Sequence, residues 1–219
     1  MIRFENLTKI FVLKKSRKLV ADNINVTFPT GRSVALLGRN GAGKSTLLRM
    51  ISGTMDPTSG RIASTGTISW PVGFAGSFHR DLTGAQNVRF IARIYGVDTD
   101  ELSDFVETFA KLGGHYHMPI MTYSSGMRSR LAFGCSMGIA FDTYLVDEVT
   151  SVGDATFRKT SIDMFNQRME TAGSVVVTHS LPQIRKMCDA AAILENGRLT
   201  YYDNLEEGIA TYESQMAKG

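Results

Sequence analysis

Val20, Ile24, Val26 and Phe28 alternate loosely with polar residues, and Pro29-Thr30-Gly31 then marks a turn. That pattern predicts β structure over roughly the first thirty residues. "RSVALLG" (32–38) differs: it is short, continuously apolar and closed by glycine, as a strand buried on both faces would be. "KSTLLRMISG" (44–53) has helical spacing, with Gly53 placed to end it.

Between about 74 and 140 the pattern turns helical. Thr83 and Gln86 have the spacing of a capping box, ahead of Val88, Ile91, Ala92 and Tyr95 on one face. Leu102, Phe105, Val106, Phe109 and Leu112 predict a second amphipathic helix. A third opens at "YSSGM" (123–127), with Met127, Leu131 and Cys135 in register. Strand and helix then alternate: "TYLVDE" (143–148), a helix over 154–170, "SVVVTH" (174–179) and a helix over 181–188. "AAILENGRLTYYD" (191–203) reads as a hairpin about Asn196-Gly197. The alternation predicts an α/β core with a mostly parallel sheet, into which the middle helices are inserted.

Composition narrows the class. The chain has 219 residues, 43% hydrophobic and 21% charged, enough for a sizeable core. Its apolar runs fall far short of the roughly 20 residues a membrane span needs, and "MIRFENLTKIF" lacks the apolar centre of a secretory signal. Two cysteines, Cys135 and Cys188, make no disulfide framework. The expectation is a soluble, cytosolic protein. A net charge of +3 does not argue for nucleic acid. The basic clusters "KKSRK" (14–18) and "MRSR" (127–130) read as solvated faces, with weak attraction to an anionic membrane surface as the other reading.

One stretch carries explicit chemistry. "GRNGAGKST" matches Gly-x-x-x-x-Gly-Lys-Ser from Gly38 to Ser45, between a predicted strand and a predicted helix. Backbone N–H groups must converge on phosphate oxygens there, and side chains at Gly38, Gly41 and Gly43 would obstruct them. Lys44 adds a point charge at the β- and γ-phosphates, and Ser45 offers a hydroxyl to Mg²⁺. Arg39, Asn40, Ala42 and Thr46 complete the nucleotide-binding candidate. Downstream, Asp147 ends an apolar strand and can hold Mg²⁺, while Glu148 can polarise a water. The competing reading of that pair is a charged strand-to-helix turn. His179 ends the next apolar run, where it is either structural or in contact with the γ-phosphate and the catalytic water.

In this order the motifs resemble the nucleotide-binding subunits of ABC transporters, over about residues 2 to 215. The resemblance implies a single nucleotide-binding domain: a P-loop NTPase core with an N-terminal antiparallel β subdomain (1–73 and 141–219), and an inserted α-helical subdomain (about 74–140). It implies that Phe11 stacks on adenine, a role any flat π face can fill; taken alone, Phe11 would read as core. It implies that "SVGD" (151–154) is a D-loop ending in Asp154, and that His179 is a switch histidine. "YSSGM" stands for the family signature, with Ser124, Ser125 and Gly126 at a helix start. In this family the signature faces the ATP of a second subunit, so two copies would pair head to tail around two ATP molecules.

"YSSGM" with "RSRLAF" after it and "ISWPVGFAGSFHRDLTGAQN" before it resembles the polysaccharide-export branch, most closely the capsular polysaccharide exporters. That implies an ATPase at the cytoplasmic face of a bacterial inner membrane, with two copies of a polytopic permease contacting about 74–90. Periplasm-spanning export partners would be engaged only indirectly. O-antigen and teichoic acid exporters share the signature variant, and some O-antigen relatives carry a further C-terminal carbohydrate-binding domain for which this chain leaves no room. The usual Q-loop glutamine has no clear counterpart between Gly73 and Leu82; His79 is the nearest polar candidate. Two rivals lack support. Ribosome- or DNA-acting ABC proteins usually bring a second cassette or a coiled coil, and a small kinase or GTPase needs no signature.

Overall fold

A computed structural model describes residues 1–13, 16–76, 78–147 and 155–217. The chain divides into two compact units, one of residues 1–71, 141–149 and 171–219, the other of residues 72–140 and 150–170.

In the first unit, β1 (Ile2–Leu13) is the centre of an antiparallel sheet, paired with β2 (Ser16–Ile24), β3 (Thr27–Phe28) and β5 (Ser59–Ser64). Phe4 and Phe28 meet edge to face at 5.1 Å in its core, a favoured geometry for aromatic pairs. The β1–β2 register slips twice, between Leu7 and Lys9 and between Lys9 and Ile10, which leaves Phe11 opposite Lys18. Such bulges redirect the side chains beyond them.

The second sheet of this unit contains β4 (Ser33–Leu37), β6 (Ile68–Pro71), β7 (Thr143–Asp147), β8 (Gly173–Val177), β9 (Ala190–Glu195) and β10 (Arg198–Tyr202). Its order is β10-β9-β4-β8-β7-β6. The first five in chain order run parallel, and β10 closes antiparallel on β9 through the Asn196-Gly197 turn. Every residue of β8 is buried, as an interior strand of a parallel sheet requires. Between β4 and β5, α1 (Lys44–Ile51) buries Leu47 and Leu48 against this core. Each contributes roughly 1.5–3 kcal/mol of apolar burial. After β8, α6 (Leu181–Met187) leads into β9. The chain then ends in α7 (Leu205–Ala217), started by Asn204 Oδ1, which accepts from the Glu207 N–H at 3.1 Å.

The second unit is helical: α2 (Gly84–Tyr95), α3 (Thr99–Ala110), α4 (Ser125–Gly138) and α5 (Ala155–Met169). The capping box at α2 forms in both directions, Gln86 N–H to Thr83 Oγ1 at 3.1 Å and Thr83 N–H to Gln86 Oε1 at 2.9 Å. Val88, Ile91 and Ala92 are buried as the pattern predicts. Tyr95 is not: it is 41% exposed, together with Phe90 at 57% and Ile94 at 61%. The apolar positions of α2 therefore exceed the one face its own unit can cover. Phe109 is the hub of the aromatic core, stacked on Phe105 and Phe133 and edge-on to Phe157 at 5.3 Å.

Candidate functional site

β4, β8 and β7 run parallel, so their C-terminal ends share one edge of the sheet. In open α/β sheets ligands bind outside that edge. Gly38 follows Leu37 at the end of β4, Asp147 ends β7, and Thr178-His179 follows β8. Three motifs far apart in sequence thus end side by side.

In the loop from Gly38 to Lys44, two of the three glycine positions have no room for a side chain. A Cβ on Gly38 would stand 2.5 Å from the carbonyl oxygen of Leu194. One on Gly43 would overlap Val20 Cγ1, and Gly43 has φ +111°. The helix it opens, α1, has no side-chain cap and no acidic residue in its first turn. Its first N–H groups and the positive end of its dipole are therefore available to an anion. Lys44 is buried, and its Nζ donates to the Gly38 carbonyl at 2.7 Å and the Arg39 carbonyl at 3.1 Å. Ser45 is exposed beside it, Thr46 and Ala42 are half-buried, and Arg39, Asn40 and Gly41 are exposed.

Two clefts flank the loop. One, of about 280 Å³, brings Lys44 and His179 together, with Gly38, Thr178 and Tyr212 on its walls. The other, of about 610 Å³, is walled by Gly38–Ala42, Lys18, the Glu195–Gly197 turn, and Tyr212, Gln215 and Met216 of α7. Arg39 points out of the loop, its guanidinium donating to the Gln215 carbonyl at 3.2 Å. Sequence reasoning stopped at the Asn196-Gly197 hairpin and missed α7 altogether. The signal was present in Asn204 followed by Glu206 and Glu207, an N-cap with acids in the first helical turn.

Asp147 is half-buried at its strand end. Ser45 and Asp147 offer a hydroxyl and a carboxylate, the hard oxygen donors that suit Mg²⁺. Phe11 is half-buried in β1, with the Lys9 ammonium 5.2 Å from its ring centroid. Glu148 and the 151–154 segment with Asp154 lie outside the described residues.

In the second unit, Ser124 is the N-cap of α4, its Oγ accepting from the Met127 N–H at 3.2 Å. Ser124 and Ser125 are exposed and Gly126 half-buried. Tyr123 anchors the turn before them: it is 4% exposed and its hydroxyl donates to the His115 carbonyl at 2.7 Å. Burial pushes the Tyr123 hydroxyl up to about 12. Arg130, one turn on, lies over the Phe157 ring at 4.9 Å, which ties α4 to α5. His79 is held by its backbone. Its N–H donates to Asn87 Oδ1 at 2.8 Å, and Asn87 Nδ2 returns bonds to the carbonyls of His79, Leu82 and Thr83. Asn87, 2% exposed, fixes the 79–83 loop to α2, a role the sequence did not announce. Phe74 is 51% exposed and Phe78 half-buried.

A glycine cradle closed by its own lysine, at the carboxyl edge of a parallel sheet, has the form that the P-loop nucleotide-binding class uses to hold phosphate. The sequence pattern described as ABC transporter matches residues 21–151, and the chain belongs to that family. It is 50% identical over 216 residues to the polysialic acid transport ATP-binding protein KpsT of Escherichia coli, covering 97% of this chain and 96% of that one. It is 42% identical to the ATP-binding protein BexA of Haemophilus influenzae (97% and 98% covered). It is 41% identical to the capsule polysaccharide export ATP-binding protein CtrD of Neisseria meningitidis (98% and 99%). The O-antigen export ATP-binding protein RfbB of Klebsiella pneumoniae is 34% identical, with 95% and 87% covered. Among solved structures, an ATP-binding subunit of an ABC transporter superposes with a TM-score of 0.76 over 99% of both chains at 20% identity. A dimeric ATP-binding cassette in a post-hydrolysis state, bound to ADP and Pi, superposes with a TM-score of 0.75 at 19% identity, covering 94% and 99%. At these identities the structures establish the fold.

Proposed function

We propose that this chain is the ATP-hydrolysing subunit of an ABC exporter that moves a capsular-type, lipid-linked polysaccharide across the cytoplasmic membrane. The observation that carries the reading is 50% identity, over 97% of the chain, to a polysialic acid transport ATP-binding protein. Relatives named for O-antigen export fall at 34–36%, which ranks the capsular reading above that alternative.

In this reading the uncapped amides of α1 and the Lys44 ammonium hold the β- and γ-phosphates of ATP, with Gly38 to Thr46 wrapped around them. Phe11 stacks on the base. Ser45 and Asp147 would hold Mg²⁺, whose charge would offset that of the phosphates. Glu148 polarises the attacking water, and His179, which shares a cleft with Lys44, orients the γ-phosphate and that water. Ser124, Ser125 and Gly126 contact the γ-phosphate held by a second copy, and Asp154 is a further nucleotide-binding residue. Two copies therefore pair head to tail when both sites are filled.

No helix among the described residues is long and apolar enough to cross a membrane. The translocation path accordingly belongs to two copies of a polytopic permease, which contact about 74–90 at the cytoplasmic face of the inner membrane. Phe74, Phe90 and Ile94 are exposed apolar residues at or beside that segment. Periplasm-spanning export partners are reached through the permease. Deleting the gene in its own host tests the cargo. Polysaccharide accumulating inside the cell and missing from the surface supports the proposal, and an unchanged surface polysaccharide overturns it.

A further inference from the structure

We infer that Lys18 is a second cationic contact for the phosphate chain of the bound nucleotide, acting beside Lys44. The inference rests on the reading of Gly38–Thr46 as the nucleotide loop. Lys18 faces Phe11 directly across the β1–β2 pair, and directly opposed residues project from the same face of a sheet. This pairing is made by the two register slips between Leu7 and Ile10. Continued from Leu7–Ile24 without a slip, the register would put Val20 opposite Phe11. The bulges thus move a lysine to the place beside the ring and leave Val20 to pack on Gly43.

From there Lys18 reaches the loop. It lines the larger cleft together with Gly38–Ala42, and its Nζ lies 3.8 Å from where a Cβ on Gly41 would stand. Among the described residues its ammonium makes no hydrogen bond or ion pair, whereas that of Lys44 is already engaged by two loop carbonyls. An unpaired cation on the strand next to the one that carries the base platform, resting against the loop that carries the phosphates, is placed to bind the anion between them. Lys18 is exposed, so the contact is screened by salt and modest in size. Lys18 contributes charge and is a positioning residue for the nucleotide; the chemistry stays with the other groups.

The test is nucleotide affinity of the full chain, titrated with ATP and with ADP at several salt concentrations, for wild type, Lys18→Met, Lys18→Arg and Lys44→Ala. Methionine keeps the apolar stem and removes the charge. The expected result for Lys18→Met is binding of both nucleotides weakened by about 3- to 10-fold with a shallower salt dependence, and recovery in Lys18→Arg. Wild-type affinity and salt dependence in Lys18→Met would overturn the inference. So would weakened binding whose salt dependence is unchanged and which arginine does not rescue, because that pattern marks a structural role. In either case loss of binding in Lys44→Ala leaves the nucleotide site standing, and undiminished binding in Lys44→Ala removes the site itself.

Discussion

The Nζ of Lys44 donates to the carbonyl oxygen of Gly38 at 2.7 Å, so the Gly38–Lys44 loop is closed by the cation proposed to serve its ligand. A phosphate entering the loop competes for that ammonium, and the exchange is favourable because a charged acceptor replaces a neutral one. Lys44→Ala should therefore weaken ATP binding by about 10- to 100-fold, the equivalent of about 1.5–3 kcal/mol for a hydrogen bond to a charged group. Isothermal titration measures it, and unchanged affinity would count against the site.

Gly43 is tight in two ways, through its positive φ and through the approach of Val20. Gly43→Ala should lower stability by about 2–4 kcal/mol, combining left-handed strain with overpacking, and should abolish nucleotide binding. Adding Val20→Ala should recover only the packing part of the loss. Urea denaturation of the single and double variants separates the two contributions, and full recovery would mean that the backbone conformation costs nothing.

Ser124 caps α4 in the isolated chain and is proposed to face the γ-phosphate of a second copy. Ser124→Ala should cost about 1 kcal/mol of stability as a lost cap, while lowering ATP turnover more than ten-fold. Ser124→Asp should keep the cap and still fail in turnover, because it sets a negative charge against phosphate. Steady-state hydrolysis assays decide this; active Ser124→Asp would exclude contact with an anion.

Glu148→Gln should bind ATP normally, lose hydrolysis and accumulate as a nucleotide-trapped dimer. Gel filtration with ATP and a phosphate-release assay check both halves. Wild-type turnover in this variant would sink the assignment of Glu148.

Burial raises Tyr116 and Tyr123 to about 12, against an ordinary value near 10. A raised folded value means stability that is fully present below the unfolded value and lost as pH climbs through the folded one. The urea midpoint should thus fall between pH 10 and pH 12, in a window where the buried Cys135 and Cys188 thiols, also raised to about 12, add to the slope. Tyr116→Phe should make that fall shallower than in wild type. An equal slope would place the dependence on other groups.

Much of the site is legible because its chemistry constrains neighbouring residues. Gly38 to Ser45 can be read from glycine spacing alone, and the Thr83–Gln86 capping box and the Asn196-Gly197 hairpin are equally local. What escapes depends on distant partners. β5 is mostly polar, "SGRIAS", and is a strand only because β1 offers it an edge. Tyr95 keeps helical periodicity with Val88 and Ile91, yet the sequence has no way to mark where the cover over α2 ends. Lys18 belongs to a basic run that reads as solvent-facing until two bulges in β1–β2 bring it beside Phe11. Arg39 is a filler position in the loop motif, and only the fold pairs it with Gln215 of α7.

The central claim, that ATP turnover on this chain powers polysaccharide export, is tested most directly by replacing the chromosomal copy with Lys44→Ala. The measurement is polysaccharide inside and outside the cell, with the level of the chain itself checked in parallel. The account predicts normal chain levels, little or no polysaccharide at the surface and lipid-linked polymer retained inside. Normal surface polysaccharide in that strain would contradict it.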